Sequence, residues 1–304
     1  MRAGGAMATK PATMSRFTGA MLVIISAASF GTLAIFGRYA YADGVDTFTL
    51  LAIRFLSAAA LMAVFLFLRR ESLPRGPVLY QLIGMGALGY VGQSFSYLSA
   101  IRFASAGLVA LLLYLYPAFV ALLSALILKE KFTGLKVGAL LLATLGAALT
   151  ANPQGGDPTG ILLAIAAAAI YSIYINVGAG VLKQVSAVQS STVIFASAGI
   201  VYAGLTLAKG GHPPHSASGW WAMGAIIIVA TVIPVVTFLA GMKRIGPTNA
   251  SMLSTFEPVV TVLLAAILFG EALSAVTLIG GGLILVAVLL LARGELGQGR
   301  PMAE

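Results

Sequence analysis

Apolar residues are grouped along the chain in ten runs, each about as long as a helix needs to be to cross the hydrocarbon core of a bilayer. Short polar or charged segments separate the runs. In chain order, the predicted spans 1 to 10 cover 17–37, 47–68, 78–99, 104–128, 134–151, 159–180, 188–208, 219–241, 247–269 and 273–292. The connections are too short to hold an extramembrane domain. The pattern predicts an all-α integral membrane protein with ten transmembrane helices.

Composition agrees with this prediction. Of the 304 residues, 60% are hydrophobic and 9% are charged, and the mean hydropathy is +1.01. A soluble globular protein has roughly a quarter of its residues charged, so most of this surface must face lipid. The net charge of +9 does not indicate a nucleic-acid partner, because the basic residues lie in short clusters between apolar runs and not on one face with aromatic residues between them.

Lys and Arg residues predict the orientation, because they favour the cytoplasmic side. With both termini in the cytoplasm, three basic residues lie in outer segments, namely Arg38, Arg102 and Lys209, and fourteen lie in inner segments. The tails 1–16 and 293–304 are then cytoplasmic. Residues 40–42 (Ala-Tyr-Ala) resemble a signal-peptidase site, but the preceding run is long enough to span and nine more follow. The first run is therefore predicted to remain as a span.

The two halves of the chain are related by a shift of 141 residues. This shift places Tyr116–Thr133 on Glu257–Ser274, so that Pro117 falls on Pro258 and Glu130 on Glu271. Each half contains five spans, an odd number, so the second half enters the membrane in the opposite orientation. We therefore predict a first repeat over 17–151 and a second, inverted repeat over 159–292. Inverted repeats that enclose a site near the bilayer midplane are typical of secondary transporters.

The ten spans, the repeat, the LAIRF of residues 51–55 and the Pro–Glu spacing that closes spans 4 and 9 resemble the EamA family of the drug/metabolite transporter superfamily. Within it, the chain is similar to the bacterial YddG-type amino acid exporters, through the Tyr-x-Tyr-Pro of span 4. The resemblance covers essentially the whole chain. It implies a central cavity lined mainly by spans 1, 3, 4, 6, 8 and 9, with spans 5 and 10 peripheral. It also implies export of small metabolites across the bacterial inner (plasma) membrane.

Two ionisable residues lie deep inside spans, where an unpaired charge is costly. Glu257 in span 9 is a candidate for binding a substrate amine or for carrying a proton. Arg54 in span 2 is a candidate for binding a substrate carboxylate. The alternative is a structural one, in which the two side chains form an ion pair or Arg54 is held by backbone carbonyls.

Polar residues and prolines inside the spans complete the candidate site. On span 3, Tyr90, Gln93, Ser94 and Tyr97 have the spacing of one helical face. Prolines inside a span remove a helical hydrogen bond and free carbonyls, so Pro117, Pro234 and Pro258 are candidates for gating or for static kinks. The other polar candidates are Tyr114 and Tyr116 of span 4, Tyr171, Tyr174 and Asn176 of span 6, Thr231 and Thr237 of span 8, and Ser254 of span 9. Hydrogen bonding between helices is the alternative for each of them.

The motifs of other function classes do not match. Glycine-rich stretches such as 280–282 lie inside spans and lack the GK[ST] of a phosphate-binding loop, so no cofactor and no ATP site are predicted. The chain has no Cys, no Gly-x-Ser-x-Gly and no HExxH, which argues against an intramembrane enzyme. His212 and His215 share the polar segment 210–219, with no carboxylate nearby in the sequence. A solvated loop is predicted there in preference to a metal site.

The sequence therefore predicts a secondary-active or facilitative exporter of aromatic and other neutral amino acids and related metabolites, working by alternating access. Its expected partners are the small-molecule substrate, membrane lipid and a proton as candidate coupling ion, in a monomer or weak homodimer. An exporter of quaternary-ammonium or lipophilic cations is the alternative, with Glu257 and the tyrosines forming a cage around the cation. A purely structural membrane protein is a further alternative, against which the repeat and the buried charges argue.

Overall fold

The computed structural model describes residues 10–100, 103–104, 109, 112–127, 129, 133–150, 157–270 and 274–297. Within these ranges the regular secondary structure is helical, which confirms the predicted all-α fold. Arg102, Glu130 and Glu271 lie outside the described residues. The structural equivalence of Glu130 and Glu271 in the two repeats therefore stays a prediction.

The helices follow the ten predicted spans. Spans 2, 5, 6, 7 and 10 are the helices Thr47–Leu68, Gly134–Thr150, Pro158–Val181, Ala187–Lys209 and Ala275–Gly297. Span 1 comprises Lys10–Gly31 and Leu33–Ala42, and the described helix of span 4 is Tyr116–Ile127. Span 3 consists of Pro77–Gly84, the π-helix Met85–Tyr90 and Val91–Ala100; span 8 of Ala217–Ile227, the π-helix Ile228–Val232 and Ile233–Ile245; and span 9 of Pro247–Leu253, the 3-10 helix Ser254–Phe256 and Glu257–Phe269.

Length and hydropathy identify the membrane-crossing helices. Among the described residues, six helices are long and apolar enough to cross a bilayer: Met14–Ala42, Thr47–Leu68, Pro158–Val181, Ala187–Lys209, Ala217–Ile245 and Pro247–Phe269. Tyr116–Ile127, Gly134–Gly146 and Leu278–Leu290 are shorter apolar helices. Large apolar side chains point outward, as at Phe67 (81% exposed) and Leu207 (87% exposed). Such a surface fits lipid and not water.

The helix packing repeats itself under the 141-residue shift. Span 1 packs along span 8, and their counterparts, spans 6 and 3, pack in the same way. Span 2 packs against span 7, while spans 5 and 10 pack mainly against each other at the edge of the bundle. Spans 1, 3, 4, 6, 8 and 9 are therefore left around the centre, as the family resemblance implies.

Two glycines allow the repeated crossings. A Cβ atom at Gly19 would lie 2.7 Å from the Cβ of Arg244, and one at Gly160 would lie 2.8 Å from the Cβ of Ala104. Gly160 is the counterpart of Gly19 under the shift. Small residues let membrane helices approach closely. An equivalent glycine therefore allows close helix packing in each half of the bundle.

The irregular turns also recur in both halves. The π-helix of span 3 lies at 85–90, which the shift moves to 226–231, overlapping the π-helix of span 8. In span 4 a turn at 114–115 precedes Pro117, and in span 9 the 3-10 helix Ser254–Phe256 precedes Pro258. At membrane depth, broken helices survive only against protein or a wet cavity. Four of the six central spans are therefore irregular near the middle, and span 1 is also interrupted, at Thr32.

On the side opposite the termini, the loop after span 7 is bound to the loop after span 1. The backbone N–H of His212 donates to Asp46 (2.8 Å), and the backbone N–H groups of His215 and Ser216 donate to Asp43 (2.7 and 3.1 Å). The fold therefore brings the predicted loop of His212 and His215 next to two carboxylates that are distant in sequence. Among the described residues, no cluster of three His, Cys, Asp or Glu that could hold a metal is present.

Both aspartates are stabilised as carboxylates. Hydrogen bonds from the hydroxyl and the backbone N–H of Ser216 lower the pKa of Asp43 below its usual 3.8. At Asp46, burial acts to raise the pKa, but hydrogen bonds from Thr49 and His212 outweigh it, and the pKa is lowered. A carboxylate whose pKa is lowered by folding stabilises the fold at pH values above its usual pKa and loses that contribution as pH falls through the lowered value.

We therefore expect acid to weaken this contact. Below about pH 3.8, the melting temperature of the wild-type protein should fall more steeply than that of the Asp43→Asn, Asp46→Asn double variant, which cannot be protonated at these two positions. Thermal unfolding in detergent across the acid range measures the difference. Parallel curves for the two proteins would show that the aspartates do not couple the loops to pH.

Candidate substrate cavity

Five tyrosines from spans 3, 4 and 6 form one continuous aromatic cluster. The ring of Tyr90 lies 5.5 Å from that of Tyr174, which lies 6.0 Å from Tyr171. The Tyr171 ring in turn lies 4.9 Å from Tyr116, and Tyr116 lies 6.5 Å from Tyr114. We call these five residues the tyrosine cluster. It joins three helices whose packing could not be deduced from the spacing of tyrosines along the sequence.

Most of the tyrosine hydroxyls near the centre have no partner in the described part of the chain. Among the described residues, the hydroxyls of Tyr90, Tyr97, Tyr114, Tyr171 and Tyr174 make no hydrogen bond, and none of them is a fully enclosed polar atom. A buried tyrosine hydroxyl normally finds a partner. These hydroxyls therefore face accessible space inside the bundle, where water or a ligand can supply the missing hydrogen bonds.

The predicted polar face of span 3 divides in two. Gln93 and Tyr97 are partly accessible. Ser94 is buried, its hydroxyl donates to the side-chain oxygen of Gln93 (3.3 Å), and it lies close to Tyr202 of span 7. Tyr202 also donates to the carbonyl of Val91 (3.1 Å). Ser94 therefore lies at the contact between spans 3 and 7, beside the cavity.

Glu257 is the acidic group of this region. It is the first residue of the helix that follows the 3-10 break in span 9, and it interacts electrostatically with Arg54 and with Tyr90, Tyr97, Tyr114, Tyr116 and Tyr171. The side chain is partly accessible. Within the described part of the chain, no residue hydrogen-bonds or forms an ion pair with its carboxylate. The accessible carboxylate therefore lies within electrostatic range of these tyrosines, with no bonded partner among the described residues.

Arg54 is held by neutral groups of span 8. Its Nε donates to the hydroxyl of Thr231 (2.6 Å) and its Nη2 to the carbonyl of Ala230 (3.2 Å), and its guanidinium lies 5.0 Å from the ring of Phe55. The side chain is only 5% exposed. Of the two structural alternatives, the carbonyl-held one is therefore observed, and the Arg54–Glu257 ion pair is not formed between these two described residues.

Pro234 explains why Arg54 finds an acceptor at this position. An α-helical N–H at residue 234 would donate to the carbonyl of residue 230, but proline has no N–H. The carbonyl of Ala230 is thereby left free, and Arg54 donates to it. The carbonyl of Pro234 itself accepts a hydrogen bond from Ser26 of span 1 (2.7 Å). Pro234 thus lies at a junction between spans 1, 2 and 8.

This arrangement predicts a coupling between Arg54 and Pro234. Arg54→Gln should lower the free energy of unfolding by about 2 kcal/mol, because hydrogen bonds from a charged donor are lost inside the bundle. In a Pro234→Ala background the loss should be smaller, since the substituted alanine supplies a backbone N–H for the carbonyl of Ala230. A double-mutant cycle by denaturant unfolding in detergent measures the coupling. Strictly additive effects would contradict the assignment.

The prolines of spans 4 and 9 flank a direct contact between the two repeats. The hydroxyl of Tyr116, next to Pro117, donates to the carbonyl of Ser251 (3.3 Å) and lies close to the side chain of Ser254. Ser254, four residues before Pro258, also donates to the carbonyl of Ala250 (3.0 Å). Ser254 therefore contacts the tyrosine cluster through Tyr116. Thr237 bonds the backbone of its own helix.

Asn176, one of the polar candidates of span 6, forms hydrogen bonds between helices and links spans 6 and 4. Its Oδ1 accepts from the hydroxyl of Ser124 (2.8 Å), and its Nδ2 donates to the carbonyls of Ser172 (3.0 Å) and Val120 (3.4 Å). The side chain is 6% exposed. A polar residue in an apolar span is the available sequence signal, but identifying its partner requires knowing how the two helices face each other.

Comparison with known proteins places the chain among transporters. It is 26% identical to the uncharacterized transporter YcbK of Bacillus subtilis, with 87% of this chain and 89% of that protein covered. It is 29% identical to an uncharacterized transporter of Archaeoglobus fulgidus (90% and 95% covered) and 27% identical to the uncharacterized inner membrane transporter YedA of Escherichia coli (80% of each covered). One solved crystal structure superposes with a TM-score of 0.78 at 26% identity, covering 94% of this chain and 99% of the other.

The family assignment follows from two matches within the chain. The profile of the EamA-like transporter family matches residues 17–152 and again residues 158–293. The two matches start 141 residues apart, which is the shift that relates the halves of the sequence, their helix packing and their broken helices. The chain is a multi-pass membrane transporter that belongs to the EamA-like transporter family, with the family domain present twice.

Proposed function

We propose that this transporter exports small amine-bearing metabolites, foremost aromatic and other neutral amino acids, through the cavity that contains Glu257 and the tyrosine cluster. The observation that carries the proposal is the accessible carboxylate of Glu257, which has no hydrogen-bonding or ion-pair partner among the described residues and lies among tyrosine rings. An unpaired carboxylate at this depth is unfavourable. The ammonium group of a substrate, or a proton, relieves that cost.

The tyrosines supply the remainder of the binding surface. Their rings offer flat apolar area for a side chain, and ring faces attract an ammonium group. Four of their five hydroxyls, all but that of Tyr116, have no partner among the described residues. Together with the amide of Gln93, these hydroxyls can donate hydrogen bonds to the carboxylate of an amino acid. A zwitterion with an aromatic or aliphatic side chain therefore finds a complementary group for each of its parts.

One observation favours a second candidate, the export of quaternary-ammonium or lipophilic cations. Arg54 is held by Thr231 and the carbonyl of Ala230 and is only 5% exposed, so in this conformation its guanidinium is not accessible to a substrate carboxylate. The negative charge of Glu257 would then act on a ligand that carries only positive charge. A cationic substrate needs no charged partner other than Glu257. A zwitterionic substrate depends on neutral hydrogen-bond donors to bind its carboxylate.

Alternating access follows from the two repeats, because each can adopt the conformation of the other. When the repeats exchange conformations, a helix pair in one repeat takes the arrangement of its counterpart in the other. Contacts that differ between the two pairs must then break or form. Spans 4 and 6 are joined by Asn176, Ser124 and the carbonyl of Val120. The shift places Asn176 on Ile35 and Ser124 on Ala265, which cannot form that hydrogen bond. In the matched pair, spans 9 and 1, Thr261 donates to the carbonyl of Gly31 (2.9 Å) instead.

The topology that goes with this function has both termini in the cytoplasm and the protein in the bacterial inner (plasma) membrane, as a monomer or weak homodimer. The side that carries the chain termini, and with it the Asn176 contact, is then the inner side. We use "inner side" in this sense below. Protons are the proposed coupling ion, through Glu257.

Counterflow into proteoliposomes tests the function. Vesicles loaded with unlabelled phenylalanine, leucine or a quaternary-ammonium ion are given the labelled compound outside, with and without an imposed proton gradient. Accumulation of the labelled amino acids supports the first candidate, and accumulation of the cation alone supports the second. Absence of counterflow for every amine tested would contradict the proposed substrate class.

A further inference from the structure

A pocket of about 460 Å³ lies on the inner side, between the connection from span 2 to span 3 and the connection from span 6 to span 7. It is separate from the cavity at Glu257. Its lining combines polar groups with a few apolar ones: Ser72, Leu73, Pro74, Arg75, Val78, Gln184, Val185 and Gln189. The two connections come from different repeats, so the pocket exists only in the folded protein.

The walls of the pocket are fixed by hydrogen bonds. Gln189 donates to the carbonyl of Ser72 (2.7 Å), and its side-chain oxygen accepts from the backbone N–H of Ser186 (2.9 Å). The hydroxyl of Ser186 donates to Glu71 (2.6 Å). The two loops are thus bound to each other, and Glu71 is already occupied.

The charges around the pocket are mainly positive. Arg75 lines it, is exposed, and has no hydrogen-bond or ion-pair partner among the described residues. Lys243 donates to the carbonyl of Val185, a lining residue (3.2 Å). Three further cations belong to the same two connections, namely Arg69, Arg70 and Lys183, while Glu71 is the acidic residue there. An anion in the pocket therefore meets an unpaired guanidinium in a positive field.

The position of the pocket identifies the source of the anion. It lies where spans 2 and 3 reach the membrane surface, and exposed apolar side chains flank it: Leu68 (70% exposed), Leu73 (50%) and Tyr80 (73%). Basic pockets between transmembrane helices on the cytoplasmic side bind anionic lipid headgroups. A headgroup phosphate can reach Arg75 while its acyl chains lie along these apolar side chains.

We infer that this pocket binds the phosphate headgroup of an anionic phospholipid of the inner leaflet. Arg75 is the main anion-binding residue, since an arginine fork matches phosphate oxygens in a bidentate manner. The amide of Gln184 supplies a further donor. Bound lipid bridges the connection from span 2 to span 3 and the one from span 6 to span 7, and so holds parts of the two repeats together at the inner surface.

Native mass spectrometry of the purified full-length protein tests this inference. Phosphatidylglycerol is titrated against wild type, Arg75→Gln and Lys129→Gln, with phosphatidylethanolamine as the lipid without net charge. Lys129 is an exposed basic residue between spans 4 and 5 that does not line the pocket, so its substitution removes one charge from the same side of the protein. Arg75→Gln should weaken phosphatidylglycerol binding about fivefold or more, since losing the charge-assisted hydrogen bonds between an arginine and a phosphate corresponds to at least about that factor. Lys129→Gln should have less than about half that effect.

Two outcomes would overturn the inference. Equal loss in the two variants would show a diffuse charge effect without a site. Full competition by inorganic phosphate would show a site for a soluble anion and not for lipid. Melting temperatures recorded without added lipid confirm that each variant is folded, and because no transport is measured, the outcome does not depend on the proposed substrate.

Discussion

Glu257→Gln should abolish counterflow of amine-bearing substrates. Gln keeps the shape of the side chain but removes the negative charge that pairs with an ammonium group inside the bundle. The loss of one desolvated charge pair corresponds to about 2–4 kcal/mol, or roughly 30- to 1,000-fold in apparent affinity. Counterflow at increasing substrate concentration in proteoliposomes measures it. If protons also bind at Glu257, the variant should not respond to an imposed proton gradient.

A matched control separates charge at the site from charge in general. Glu71→Gln makes the same chemical change at the inner surface, where Gln can still accept the hydrogen bond from Ser186. Glu71 lies outside the cavity, so transport by this variant should stay close to wild type. Wild-type transport by Glu257→Gln, with every amine and gradient tested, would remove this carboxylate from the mechanism.

Residues around Glu257 could be predicted from the sequence to different degrees. The bounds predicted for spans 2 and 9 coincide with the helices Thr47–Leu68 and Pro247–Phe269, because charges and prolines mark the ends of apolar runs. The depth of Glu257 and Arg54 followed directly from those bounds. The depth of a residue in the membrane does not determine its partner, however. Whether Arg54 contacts Glu257 or the carbonyl of Ala230 depends on the rotation of spans 2 and 8 about their helix axes.

Contacts between distant loops show the same limit. Asp43 and Asp46 are more than 160 residues from the histidines whose backbone they bind, so no local pattern connects them. The repeat, in contrast, was accessible from the sequence, since one shift relates Pro117 to Pro258 and the same shift separates the two family matches. Internal symmetry carries long-range information that helix periodicity does not.

The symmetry also indicates which contact sets the preferred conformation. Asn176 joins spans 4 and 6 through Ser124 and Val120, whereas the shifted position of Asn176 is Ile35, which is 3% exposed and apolar. One matched helix pair is thus hydrogen-bonded through an amide and the other is not. In an exchange of conformations between the repeats, this extra contact favours the state in which spans 4 and 6 are closed.

Asn176→Ala should therefore open the inner side. Hydrogen bonds between membrane helices contribute about 0.6–2 kcal/mol each, so losing two should shift the ratio of closed to open molecules roughly 10-fold. The chain has no native Cys, which allows spin labels to be placed at two positions only. Ile127→Cys and Lys183→Cys, both exposed, mark the ends of spans 4 and 6 on the inner side. Pulsed electron paramagnetic resonance between them should reveal a longer distance in the variant.

Ser172→Ala is the matched control, because the Ser172 hydroxyl bonds the Ala169 carbonyl of its own helix (2.7 Å), while its backbone carbonyl still accepts from Asn176. Its distance distribution should match that of the wild type. An unchanged distribution in Asn176→Ala as well would show that the amide only fills space between spans 4 and 6. Two results together would support this role of Asn176: a longer distance in Asn176→Ala alone, and faster chemical labelling of the tyrosine cluster from the inner side. They would show that one hydrogen-bonded side chain biases the exchange between two otherwise equivalent halves.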